Sequence, residues 1–164
     1  MLAIRKILHP TDYSELSRPA FELACALARD FDAELVICHV SLPPIIAAGE
    51  GAIVNVPIGE SEELMAQLEQ VKPAERQIRV GHKLLQGDPA SEIIWLANDI
   101  KPDLIVMGTH GRSGFGRLLM GSVSEEVMRK APCPVVTVKA PIPANQQPAS
   151  MVATAESEAG HWND

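Results

Sequence analysis

The sequence predicts an open α/β domain, Rossmann-like in plan, whose parallel sheet carries helices on both faces. Short apolar segments of β character alternate with stretches of helical periodicity between residues 4 and 139. Turn signals fall at the ends of those segments, as in Pro10-Thr11-Asp12 and Gly87-Asp88-Pro89. The segment Ala33–Val40 (AELVICHV) is apolar almost throughout instead of alternating, as a strand covered on both faces is.

In chain order, Ile4–His9 reads as the first strand and ends at Pro10-Thr11-Asp12. Phe21, Leu23, Ala24, Leu27, Ala28 and Phe31 recur at helical spacing and predict a helix over Ser17–Asp30. Ser14 or Ser17 is placed to cap it, and Pro19 falls in its first turn. Ala33–Val40 is the second strand. Leu42–Gly59 follows, with three prolines, three glycines and a single charge, Glu50, and is long for a connection. Glu60–Val71 reads as a short helix, Gln77–Leu85 as a third strand and Ala90–Asn98 as a helix. Asp103–Met107 (DLIVM) is a buried strand, Ser122–Lys130 a helix and Val135–Lys139 the last strand. Residues 1–140 thus form one domain. Pro141–Asp164, with three prolines, several alanines and glutamates and no Lys or Arg, reads as a disordered tail.

Composition narrows the function. A chain of 164 residues buries one core without staples, and aromatics at 4% leave that core to Ile, Leu, Val, Ala and Met. Lys and Arg number 14 against 21 Asp and Glu, so the formal charge is 14 − 21 = −7. An acidic chain lacks the basic face that duplex nucleic acid requires, so a bound polyanion needs a local positive patch. Cys25, Cys38 and Cys133 form no CxxC pair and sit among apolar neighbours, which suits buried thiols in a reducing compartment. No signal-peptide pattern opens the chain and no apolar run reaches the length needed to span a bilayer, so the expected location is the cytosol.

In open α/β sheets ligands bind beyond the carboxyl ends of the strands, where strand order reverses. Three segments lie just after strands: Pro10-Thr11-Asp12, His39-Val40-Ser41 and the stretch from Gly108 to Ser124. The last contains Gly108, Gly111, Gly114, Gly116 and Gly121, with His110, Arg112 and Arg117 as local positive charge. Glycines let main-chain N–H groups approach an anion, and Gly121-Ser122 opens a helix whose N-terminus favours phosphate. The hydroxyls of Ser122 and Ser124 can add hydrogen bonds. The segment contains no GK[ST], so it is not a Walker A loop, and no GxGxxG follows the first strand.

The pattern Gly108-x2-Gly111-x9-Gly121-Ser122 resembles the nucleotide-binding motif of the universal stress protein family. ILHPTDYSELSRPAFELACALA resembles that family's first strand and helix, DLIVMGTHGRSG its fourth strand and loop, and APCPVVTVK its closing strand. The resemblance covers residues 1–140. It implies a five-stranded parallel sheet in the order 3-2-1-4-5, with ATP, accompanied by Mg²⁺, at the carboxyl ends of strands one and four. By position, Pro10, Thr11 and Asp12 would border the adenosine, with Asp12 near the base. Val40 would line the adenine pocket and Met107 would close its other side. Gly108, His110, Gly111 and Arg112 would surround ribose and phosphates, and Gly121, Ser122, Val123 and Ser124 would hold the phosphates. The resemblance also implies a homodimer through Val135–Lys139. No role transfers to Leu42–Gly59 or to the tail.

The expected function is that of an ATP-binding regulatory protein of stress response, with at most slow hydrolysis. An ATPase or adenylyl-transferring enzyme on this fold and a dimeric interaction module are the alternatives. Asp12 fits a helix-capping or base-bonding role better than a catalytic one. His39 and His110 have no near partners in sequence for a metal site, and His9 reads as a strand-end histidine with its hydrogen bonds satisfied.

Overall fold

The structure, a computed structural model, describes residues 3–42, 58–109 and 120–140. Nine elements run in strict alternation: β1 (Lys6–Pro10), α1 (Arg18–Phe31), β2 (Glu34–Ser41), α2 (Ile58–Glu69), β3 (Val80–Gln86), α3 (Pro89–Ile100), β4 (Leu104–Gly108), α4 (Ser122–Lys130) and β5 (Val135–Val138). The five strands form one sheet in the order β3-β2-β1-β4-β5, and every pairing is parallel. Strand order therefore reverses between β1 and β4, where the sequence places a ligand.

Both faces of the sheet are covered. Ile7, Leu35, Ile37, Leu104 and Val106 pack with Ala20, Ala24 and Ala28 of α1 and Leu68 of α2. The three alanines, four residues apart, form the stripe by which α1 lies close on the sheet. Leu8, Val36, Cys38, Ile105 and Met107 turn the other way and pack against Ile93, Leu96 and Ala97 of α3 and Val127 of α4. Alternate strand residues thus feed opposite cores, which is why the strands read as continuous apolar runs. Cys25 and Cys38 are buried and Cys133 is half-buried, all three as free thiols.

Local details depart from the expectations at several boundaries. α2 begins at Ile58 and ends at Glu69, two residues earlier at each end than the sequence suggests. Gly59 is a poor helix former, which masks the true start. At the other end Gln70 N–H and Val71 N–H reach back only three residues, to Gln67 and Leu68, so the last turn leaves the α pattern. β3 starts at Val80 and not at Gln77, because Ile78 N–H closes a turn onto Glu75. β1 runs from Lys6 to Pro10 instead of from Ile4 to His9. Ahead of it, Asp103 Oδ2 accepts from Arg5 N–H at 2.8 Å and from Lys6 N–H at 3.0 Å.

Pro19 sits in the first turn of α1 as expected, but neither serine caps the helix with its side chain. Ser17 occupies the cap position, and its hydroxyl donates to Ser14 O at 2.8 Å. Asp88 does cap α3, accepting from Ser91 N–H at 3.0 Å. Among the described residues no helix is long and apolar enough to cross a membrane. The Leu42–Gly59 stretch, apart from its ends, and the tail from Pro141 lie outside the described residues.

Candidate functional site at the carboxyl edge of the sheet

The parallel order of β1, β2 and β4 brings Pro10-Thr11-Asp12, Val40-Ser41 and Met107-Gly108 to one edge of the sheet. Thr11 is locked there by three bonds. Its N–H donates to Cys38 O at 2.8 Å, its carbonyl accepts from His39 Nδ1 at 2.8 Å, and its hydroxyl oxygen accepts from Tyr13 N–H at 3.2 Å. Tyr13 takes the left-handed conformation, φ 63°, uncommon for a residue other than glycine. Its ring leans on His39, with centroids 4.3 Å apart. Asp12 Oδ1 accepts from Ser14 N–H at 3.0 Å and from Ser14 Oγ at 2.6 Å, which orients the carboxylate at the mouth of the edge. Asp12 thus organises its own loop and does not cap α1, whose cap position is Ser17.

Met107 is buried, and Val40 and Val123 are half-buried against the same α3/α4 core. The apolar residues assigned to the site therefore gather on one face of the sheet. Past β4 the chain is held by Thr109 N–H donating to Val138 O at 3.0 Å. The Thr109 carbonyl in turn accepts from Gly121 N–H at 2.7 Å and from Ser124 Oγ at 2.9 Å. These bonds tie the N-terminus of α4 to the end of β4. Ser124 is buried and its hydroxyl also lies 2.9 Å from Gly121 O, so that hydroxyl latches the loop and does not face outward. What Ser124 can offer an anion is its main-chain N–H.

Gly121 caps α4 with φ −75° and ψ 155° and, having no side chain, accepts from no amide of the first turn through one. The first intrahelical acceptor in α4 is Gly121 O, which takes Glu125 N–H at 3.0 Å. The amides of Ser122, Val123 and Ser124 therefore have no acceptor within the helix and point out of its positive end. Ser122 is exposed. His110, Gly111 and Arg112 lie outside the described residues. Among the described residues no group of three or more His, Cys, Asp or Glu is placed to hold a metal ion.

Two features went unassigned in the sequence. Thr109 lay inside the glycine-rich segment, yet its anchoring carbonyl is a main-chain group that no side-chain pattern reports. Tyr13 directly follows Asp12, and an aromatic residue in a strand-end loop was the available signal.

The sequence profile of the universal stress protein family matches residues 3–139. The chain belongs to that family. Universal stress protein MJ0531 of Methanocaldococcus jannaschii is 38% identical over 141 residues, covering 84% of this chain and 83% of that protein. Universal stress protein YxiE of Bacillus subtilis is 31% identical over 145 residues, covering 82% of this chain and 98% of its own length. Among solved structures, a family member from Burkholderia pseudomallei matches with a TM-score of 0.64 at 27% identity, covering 84% of this chain and 98% of the other. A universal stress protein in complex with cAMP matches with a TM-score of 0.62 at 25% identity, covering 84% of this chain and 98% of the other.

Within this family fold, His9 departs from the satisfied histidine expected at a strand end. It is fully buried, Nδ1–H donates to Val106 O at 2.8 Å, and Nε2 is buried with no hydrogen-bond partner among the described residues. Burial pushes its pKa down from 6.5 to about 4, while the Val106 carbonyl and Asp12 pull it the other way. The folded value lies below the unfolded one, so the unfolded chain takes up the proton first as pH falls. The stability carried by the neutral ring is full above about pH 6.5 and is lost as pH falls toward about 4. At about 1.4 kcal/mol per pH unit that span amounts to about 3 kcal/mol. Urea unfolding across this window should show a steep loss for the native protein and a shallower one for His9→Leu. Parallel slopes would show that His9 does not carry the acid sensitivity.

Proposed function

We propose that this protein binds ATP with Mg²⁺ at the carboxyl ends of β1 and β4 and acts as a nucleotide-dependent regulator in stress response. The observation that carries this reading is the start of α4. Its amides at Ser122, Val123 and Ser124 project from a helix end that Thr109 ties to the end of β4, the strand next to β1. Main-chain donors at a helix N-terminus suit phosphate oxygens, and the first turn adds the exposed Ser122 hydroxyl. Gly108, His110, Gly111 and Arg112, by their positions in the motif, would surround ribose and phosphates, and Mg²⁺ would be held by the phosphates themselves. Val40 and Met107 would flank the adenine, with Asp12 near its edge. The likeness to a relative solved with cAMP supports an adenine nucleotide. The location proposed is the cytosol. The turnover proposed is at most slow hydrolysis.

ATP with Mg²⁺ should raise the melting temperature. At a free concentration of about one hundred times Kd the gain is about 2.7 kcal/mol, or roughly 5–10 °C for a domain of this size. GTP should give less, because the Val40–Met107–Asp12 surroundings are built for one base. Gly121→Val should abolish the shift with an unchanged circular dichroism spectrum, since φ −75° and ψ 155° suit valine equally well. A full shift in that variant would move the site elsewhere.

We further propose a homodimer through β5. Among the described residues this strand is the sheet edge, bonded on one side only, to β4, and Val136 at its centre is 36% exposed. An edge with free N–H and C=O groups is satisfied by the same strand of a second copy about a two-fold axis. Pro132 and Pro134 precede the strand and Lys139 follows it, leaving the centre unblocked. Light scattering at micromolar concentration should give a dimer, and Val136→Pro, which removes one donor, should give a monomer. A monomeric native protein would overturn the assignment.

A further inference from the structure

The central strands carry a gap in their bonding directly below the proposed nucleotide site. β1 pairs with β2 along its whole length, from Lys6 to Pro10. Its ladder with β4 covers only Ile7 with Leu104 and Leu8 with Ile105. The direction of the peptide groups explains why it stops. Arg5 O and Thr11 N–H both bond toward β2, through Glu34 N–H and Cys38 O. Peptide groups of alternate residues in a strand turn to alternate sides, so residue 10 faces β4. On β4, Ile105 N–H and Thr109 N–H bond toward β5, through Pro134 O and Val138 O. The carbonyl of Val106 therefore faces β1. Continuing the register, the donor due at Val106 O is the N–H of residue 10, and residue 10 is a proline, which has none.

The side chain of the preceding residue takes that place. His9 Nδ1–H donates to Val106 O at 2.8 Å. The ring lies against Phe21 of α1, with centroids 5.5 Å apart, and is completely buried. Because its partner is a carbonyl, the proton sits on Nδ1, and Nε2 is left as a buried acceptor with no partner among the described residues. Such an acceptor destabilises the fold, and an aliphatic side chain would fill the space without it. What an aliphatic side chain cannot supply is the donor to Val106.

The two chain ends joined by this bond are the two lips of the site. Pro10 leads into Thr11-Asp12, and Val106 leads into Met107-Gly108. We propose that His9 is a positioning residue for the nucleotide site: its side chain replaces the main-chain bond that Pro10 cannot make and fixes the gap between the carboxyl ends of β1 and β4. This rests on the ATP-binding reading above. The side-chain bond joins the strands beyond the last bridged pair, where the ladder itself has ended. His9 itself touches no nucleotide and acts through the two loops.

A double-mutant cycle tests the role, with ATP affinity measured by calorimetry for the native protein, His9→Leu, Pro10→Ala and the double variant. His9→Leu should weaken ATP binding about tenfold in the native background, the scale of one net hydrogen bond. In the Pro10→Ala background the same change should cost less than about twofold, because alanine restores the main-chain donor. Equal losses in both backgrounds would reduce His9 to packing and overturn the proposal. Absence of ATP binding by the native protein would overturn the binding reading and the positioning role together, whereas binding with equal losses overturns His9 alone. Nitrogen-15 spectra of the native imidazole give a second measurement that needs no variant. They should show the Nδ1–H tautomer, with ring resonances that move when ATP is added. An Nε2–H tautomer, or resonances indifferent to ATP, would overturn it.

Discussion

The pairing of β1 with β4 is short, and the site follows from where it stops. At the lower end the two strands are pinned by Asp103, whose carboxylate accepts from the amides of Arg5 and Lys6 while its own N–H donates to Lys6 O. Those bonds hold the Asp103 carboxyl below the usual carboxylate range. Two bridged pairs later the ladder ends. A parallel sheet whose strand order reverses at this seam must send the connections on its two sides to opposite faces, which leaves a crevice above the seam. Pro10 has no N–H with which to continue that ladder, and His9 bonds the two strands beyond its end.

The covering of the sheet makes this arrangement rigid. With β1 buried on both faces and β4 fully buried over Ile105 and Val106, neither strand can shift without opening a close-packed core. The stripe of Ala20, Ala24 and Ala28 lets α1 sit near enough for Phe21 to close over the His9 ring. On the opposite face Val40, Met107 and Val123 are continuous with the α3/α4 core, so the apolar part of the site is an extension of a core and not a separate pocket. The polar part is a set of main-chain groups, aimed by Thr109 and by the left-handed turn at Tyr13.

Much of the fold was legible because its signals are local. AELVICHV and DLIVM are continuous apolar runs, and a strand buried on two faces writes itself in that form. Asp88-Pro89 marks a helix start by capping chemistry that needs only three residues. The strand order and the individual roles of the site residues came from the resemblance, since spacing alone does not order strands, whereas the three strand-end segments were legible by position. The features that escaped are those whose partners are distant in the chain. His9 and Val106 are 97 residues apart, and nothing near His9 tells a reader that a carbonyl waits for it. Ser124 was legible as a helix-start serine, but its hydroxyl turns inward to Thr109, 15 residues earlier. Ser17 looked like a cap, and its hydroxyl instead closes the turn begun at Ser14, in competition with the helix amides.

We propose that the nucleotide occupies the carboxyl edge between β1 and β4. Titrating ATP with Mg²⁺ into nitrogen-15-labelled protein tests it most directly, because every main-chain amide reports its own surroundings. Shifts should be concentrated at Thr11, Asp12, Val40, Gly108 and the α4 amides of Ser122, Val123 and Ser124. The opposite edge, at Lys101 and Asp103, should stay still. Shifts centred instead on the open depression lined by Lys72, Arg76 and His82, about 510 Å³ in volume, or on the lower edge, would contradict it.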